Sequence, residues 1–414
     1  MDKTGLEIAT PITLPCGLTL PNRLVKAALA EGWSDKDKLP SEGLIRTYGT
    51  WADGGWGMVL TGNVQVDVAY LGTAEDNAFN DRIPRDRLLA SWKDWAQATN
   101  RHGTPTLMQI NHPGRQSMIG AGTRGVFAKS IAPSPIPLQL GDGILPRAVS
   151  ALVFGTPREM TVADIQGVVS RFAETAKLAH EAGFAGVQIH AAHGYLLAQF
   201  LSASSNQRTD AYGGTARNRA RVVVEVIRAV RAAVPKGFCV GIKLNSVDHQ
   251  SPLELQECIE QLEDITAAGV DLLEISGGTY ENPTMVLAGN APTKAASTLA
   301  REAFFLDFAK AIREKFTHVP LVVTGGFRTR QGMEAAVREG ACDMVGIGRP
   351  AVLNASLPKN TVFNAAVDDG DAKVYARSVA VPWIAKKLGM RAIAGGAETT
   401  WYQKQMHRML TSNI

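Results

Sequence analysis

Cysteine is scarce in this chain. The four present, Cys16, Cys239, Cys258 and Cys342, show no CxxC pair and no metal-ligand spacing. That excludes a disulfide scaffold and a zinc-finger framework. Cys239 and Cys342 fall in or near apolar runs and read as buried free thiols. No run of about eighteen apolar residues occurs, so no membrane-spanning helix is expected. The opening MDKTGLEIATPITLPCG lacks the apolar stretch of a signal peptide, which makes a cytoplasmic enzyme the default expectation. Charge of one sign is not concentrated anywhere. Lys and Arg number 43 against 39 Asp and Glu, a net +4, and they are spread along the chain, which disfavours a nucleic-acid partner. Low-complexity tracts are absent, and no GxGxxG follows an early strand, which weighs against a doubly wound dinucleotide sheet.

What the chain does have is alternation. Thr161, with Asp164 three positions on, can cap a helix whose apolar residues Ile165, Val168, Phe172, Ala176 and Ala179 recur at helical spacing. Gly183 ends it, and the apolar run Phe184–Ile189 follows as a strand. Helix and strand then alternate through strands at Phe238–Leu244, Val270–Ile275, Pro320–Val323 and Asp343–Ile347. The first third adds Leu24–Leu29, Met58–Leu60 and Thr106–Ile110. Eight short, continuously apolar strands separated by helices require a parallel sheet covered by helices, and a (β/α)₈ TIM barrel is the simplest closed solution. The barrel is expected over residues 1–360. Residues 11–20 form a hairpin that can plug its bottom, and residues 111–160, rich in Gly and Pro, form a lid-like insertion. The partly helical tail 361–414 packs on the barrel or on a second copy of the chain, in a possible homodimer.

Catalytic groups of such barrels sit at the C-terminal strand ends. After the third strand these are Gln109, Asn111, His112 and Arg115; after the fourth, His190, His193 and Tyr195. Lys243 lies near the end of the fifth. Ser276-Gly277-Gly278 and Tyr280 follow the sixth, Thr324-Gly325-Gly326 the seventh, and Gly346-Ile347-Gly348-Arg349 the eighth. The last two loops stand where barrels hold phosphate: glycine lets backbone N–H groups approach an anion, and Arg349 can clamp it. His190 and His193 form an HxxH pair that could ligate a metal, but no carboxylate occurs between Gln188 and Asn206 to complete a site, so no metal is expected. Two imidazoles and a phenol at a strand mouth can instead bind a carbonyl oxygen and deliver a proton. An ammonium inside the strand around Lys243 needs an anionic or acceptor partner, which a ligand could supply.

Taken together, LPNRLV, MQINHPGRQ, APSPIP, AGFAGVQIHAAHGYLLAQFLS, NQRTDAYGG, TGG and GIGRP, in this order, resemble the old yellow enzyme family of FMN-dependent ene-reductases over about residues 10–355. The resemblance implies tightly bound, non-covalent FMN, reduced by NADPH or NADH. Its ring would be contacted by Ala27, Ala28, Leu29, Ala30 and Gln109. Lys243, where the family usually has Arg, would stand beside N1 of the ring, and Gly325, Gly326, Gly348 and Arg349 would hold the phosphate. It further implies reduction of an α,β-unsaturated carbonyl compound whose oxygen is bound by His190 and His193, with Tyr195 as proton donor. The chain departs from the pattern at Ala30, usually Thr or Cys, at Ala28, usually Pro, and at Lys26, often apolar. A flavin-dependent isomerase or cyclase, and a non-catalytic flavin-binding protein, are the alternatives.

Overall fold

A computed structural model describes residues 5–125, 127–141, 143–245, 252–276, 308–377, 379 and 391–410. Eight parallel strands close on themselves: Leu24–Lys26, Met58–Gln65, Thr106–Asn111, Gly186–Ala191, Cys239–Asn245, Leu272–Ser276, Leu321–Thr324 and Met344–Ile347. The eighth pairs with the first and the first with the second, which completes the (β/α)₈ barrel. Each strand lies within a few residues of its sequence expectation. The second runs longer, to Gln65, and the first stops at Lys26, although Ala27 N still donates to Ile347 O at 2.9 Å.

The helices form where caps and apolar stripes coincide. Thr161 and Asp164 make a reciprocal capping box that starts Val162–Ala182, and Gly183, with φ 98°, ends it in the left-handed conformation that spares a Cβ. Ser41 and Thr215 cap the helices Glu42–Ala52 and Ala216–Ala233. Side chains facing the helix layer form the larger core. Those facing the barrel axis form a second one, in which Leu14 and Leu20 of the N-terminal hairpin pack against Val25, Met58, Leu107, Leu272 and Met344. The hairpin thus closes the N-terminal end and leaves the C-terminal rim as the open face.

One sequence expectation is refined. The 111–160 connection contains a helix, Ile144–Val153, with Ile144 and Leu152 exposed. Its inward face, Pro146, Val149, Ser150 and Val153, includes a proline and a serine and only two apolar residues, which pack on Leu138, Leu140 and Phe154, so the apolar pattern is too short to reveal it. All four cysteines are free; Cys239 and Cys342 are buried, as expected, and Cys16 is half-buried on the hairpin. No helix among the described residues is long and apolar enough to cross a membrane. Gly277, Gly278 and Tyr280 lie outside the described residues.

Candidate active site

The fourth strand carries His190 to the rim, and the chain then turns through His193, whose φ of 57° is left-handed and costly for a residue with a Cβ. His193 N donates to Asn245 Oδ1 at 3.0 Å, which holds that turn to the end of the fifth strand. The turn aims His193 back at its neighbour. His190 Nε2 lies 3.0 Å from His193 Nδ1, His190 Nδ1 lies 2.9 Å from Asn63 Oδ1, and His193 Nε2 lies 3.2 Å from Ser276 Oγ. Asn63 Nδ2 reaches the Tyr195 hydroxyl at 3.4 Å. Asn63, His190, His193 and Ser276 therefore form one hydrogen-bonded chain across the rim.

This chain admits two complete proton arrangements. In one, Asn63 Oδ1 accepts from His190 Nδ1–H, His190 Nε2 accepts from His193 Nδ1–H, and His193 Nε2 accepts from the Ser276 hydroxyl. Turning the Asn63 amide end for end reverses every bond and leaves a proton on His193 Nε2. Burial holds both imidazoles well below their usual range, helped at His190 by His193 and then by Lys243, and at His193 by Lys243. Both rings are neutral at physiological pH. They act as a hydrogen-bonding relay rather than as stored cations.

Below them runs a buried polar ladder. Gln109 Nε2 donates to Gln188 Oε1 at 2.7 Å, and Gln188 Nε2 donates to Glu274 Oε2 at 2.6 Å. Lys243 Nζ closes the ladder on Glu274 Oε1 at 2.9 Å. The partner that Lys243 requires is thus protein, the residue in register with it on the next strand. Gln109 gives one amide hydrogen to this ladder, and it is not in the wall of the cleft described next.

A cleft opens beside His193 and Lys243. Ala27, Ala28, Leu29 and Ala30 form one side, and Thr324 to Arg328 with Gly346 to Arg349 form the other. Gly325 and Gly326 have φ of 133° and 82°, so the backbone bends here in a way only glycine takes cheaply. A Cβ on Gly346 would lie 1.9 Å from Thr324 Oγ1. That hydroxyl is buried in the wall without a hydrogen-bond partner. Bare glycine backbone, an unsatisfied hydroxyl and the cations Arg328, Arg349 and Lys243 suit an elongated anionic ligand with a phosphate at the glycine end.

Behind the Ala27–Ala30 segment lies a buried charge cluster. Lys26 Nζ donates to Leu60 O at 3.1 Å and stands 4.1 Å from the Trp51 ring centroid. Burial brings its ammonium down to about 7, against the opposing pull of Glu31. Glu31 accepts from the Tyr48 hydroxyl and from Gly62 N, and burial raises its carboxyl. Gly62 is obligatory, since a Cβ there would lie 1.9 Å from Glu31 Oε2 and 2.2 Å from Leu29 O. The cluster pins the loop that walls the cleft.

The sequence matches the NADH:flavin oxidoreductase / NADH oxidase family over residues 7–364. The chain belongs to this family. It is 56% identical over 399 residues to "NADH-dependent flavin oxidoreductase iccE" of Talaromyces variabilis, covering 96% of both proteins. It is 55% identical over 412 residues to "NADH-dependent flavin oxidoreductase iliE" of Neonectria sp., covering 97% of this chain but only 54% of the longer relative. Among solved structures, morphinone reductase superposes with a TM-score of 0.69 at 24% identity, covering 89% of this chain and 92% of that one, a likeness of fold. The old yellow enzyme homologue from Zymomonas mobilis gives the same TM-score at 22% identity, with 87% and 94% covered. The chain is an oxidoreductase of this flavin- and NADH-dependent family, on the old yellow enzyme fold.

Within the family frame, the structure brings His190, His193 and Tyr195 together and places His193 in the cleft wall with Lys243, Ala27–Ala30, Gly325, Gly326, Gly348 and Arg349. His112 and Arg115 instead organise their own loop. His112 Nδ1 accepts from Gly114 N, and Arg115 donates to Ile136 O at 3.4 Å and Pro137 O at 3.3 Å. The sequence reading missed Asn63, Glu274 and Glu398. Asn63 follows an irregularity in the pairing of the second and third strands between Leu60 and Asn63, which re-aims it. Among the described residues, the only three-membered group with metal-ligand spacing is Cys16, Cys239 and Asp271, at the opposite end of the barrel. There Arg231 and Val240 N already engage the Asp271 carboxylate.

Proposed function

We propose that the chain is an FMN-dependent reductase of α,β-unsaturated carbonyl compounds, with NADH as reductant. The relay of Asn63, His190, His193 and Ser276 beside Tyr195 is the observation that carries this reading, since it supplies an oxygen-binding donor and an acid at one mouth. The glycine cradle with Arg349 would hold the phosphate of FMN, and Ala27–Ala30 and Lys243 would meet its ring; the bound flavin would take hydride from NADH and pass it to the substrate β-carbon. Lys243 favours negative charge on that ring. His193 Nε2 meets the substrate oxygen and donates to it as negative charge develops. Donation requires the Asn63 amide N–H to face His190, and its carbonyl then faces the Tyr195 hydroxyl. Tyr195 gives its proton to the α-carbon. NADH is preferred because the relatives named above are NADH-dependent.

The test is the visible spectrum of the purified protein, taken before and after anaerobic NADH and again after a simple enone. A flavin spectrum that bleaches with NADH and returns with the enone is expected. Y195F should slow the return by about 10²–10⁴-fold and leave bleaching unchanged. Conversion of the enone without any reductant would replace this reading with an isomerase. A flavin that NADH cannot bleach would replace it with a binding protein.

A further inference from the structure

The helix Arg391–Arg408 lies beyond the residues that match the family, yet it enters the cleft. Glu398, Thr399, Tyr402 and Met406 recur on one helix face and line the same wall as Gly326, Gly348 and Arg349. Glu398 Oε1 accepts from Arg349 Nη1 at 2.7 Å. The Glu398 side chain is 4% exposed and that of Arg349 26%. At its far end the helix stacks His407 on Trp33, ring centroids 3.6 Å apart. Tyr402 OH accepts from Arg377 N at 2.7 Å and donates to Arg377 O at 3.0 Å. The helix therefore spans the loop after the eighth strand, the 377 segment, and the continuation of the loop that begins at Ala27.

We propose that Glu398 is a positioning residue for the cofactor phosphate, holding Arg349 in place, and that the helix Arg391–Arg408 is the outer wall that retains the flavin. This rests on the flavin reading above. An arginine on a loop has many rotamers, and a buried carboxylate on Nη1 selects one of them before the anion arrives. The carboxylate is buried against Arg349, and separating a buried charge pair is costly, so the pair persists when the cleft is filled. Among the described residues of the wall, Arg328 and Arg349 outnumber the Glu398 carboxylate, Lys243 being balanced by Glu274, so the cleft stays attractive to an anion. The opposite reading makes Glu398 a competitor that occupies Arg349 in place of phosphate. The two differ in sign.

The experiment measures FMN release from the loaded full-length protein by the rise in free-flavin fluorescence on dilution, and FMN affinity after removal and reconstitution. E398Q should release FMN about tenfold faster and bind it correspondingly more weakly, with the shorter acid of E398D falling in between. H407A, which loosens the helix far from the phosphate, should also speed release. Circular dichroism checks that each variant is folded, and E398D keeps the charge if E398Q is not. Unchanged or slower release from E398Q and E398D overturns the positioning role, and slower release identifies Glu398 as the competitor. An H407A protein that keeps flavin as the parent does overturns the role of the helix as a wall. A parent protein that cannot bind FMN at all overturns the flavin reading instead.

Discussion

Lys243 and Glu274 face each other in register on neighbouring strands, Nζ to Oε1 at 2.9 Å, both almost completely removed from solvent. A buried pair of this kind contributes little over an apolar pair, but removing one partner strands the other charge. E274Q keeps the acceptor for Gln188 and removes the counter-ion. It is expected to cost about 3 kcal/mol, read as a lower urea midpoint. A variant that unfolds at the parent's midpoint would mean that Lys243 has found another partner.

Acid should weaken the protein through its buried imidazoles. Unfolded, each takes a proton near pH 6.5; folded, burial holds His190 and His193 well below that and His112 at about 3. The unfolded chain thus binds more protons below about pH 6.5, so this contribution is complete above 6.5 and is lost as pH falls toward the folded values. Imidazole ¹⁵N shifts should show all three rings neutral at about pH 6 in the folded protein. A ring found protonated there contradicts the burial argument.

Lys26 predicts a slope on the alkaline side. Its ammonium titrates at about 7 when folded, against 10.5 in an open chain. Between those values the unfolded state binds more protons, so stability rises with pH. In K26M that rise should flatten, and denaturation followed from about pH 7.5 to 9.5 measures it. An identical slope in parent and variant would remove Lys26 from the explanation.

Asn63 is expected to matter for one half of turnover. N63L deletes the hydrogen-bond partner of His190 and the contact to Tyr195 while leaving the cleft walls intact. Reoxidation of the reduced enzyme by an enone should slow by about 10²-fold, with reduction by NADH changed little. Stopped-flow traces of the two steps separate them, and equal slowing of both would assign Asn63 a structural role.

Most of the barrel is legible in the chain because buried parallel strands are apolar throughout and glycines mark their helix ends. The histidines, Tyr195 and the glycine loops are legible because they fall at strand ends. Glu274 is not, since a lone acid in an apolar strand gains meaning only once the ladder sets it opposite Lys243. Glu398 is hidden for a similar reason: its partner Arg349 lies 49 positions away. Gln109 shows the reverse. Its position points into the site, but the side chain is engaged by Gln188.

The irregularity before Asn63 also sets what a small change in chain length can do. Three steps on the second strand, from Leu60 to Asn63, are matched by two on the third, from Leu107 to Gln109. Side chains alternate between faces, so this extra residue turns Asn63 to the same side as Gln109. Deleting one of the two residues between Leu60 and Asn63 would leave two steps on each strand, so the pairing would become regular and Asn63 would stay opposite Gln109. Closing the register with the residue count unchanged would instead set Gly62 opposite Gln109 and turn the Asn63 amide toward the helix layer, so the relay depends on the extra residue being absorbed at this one place.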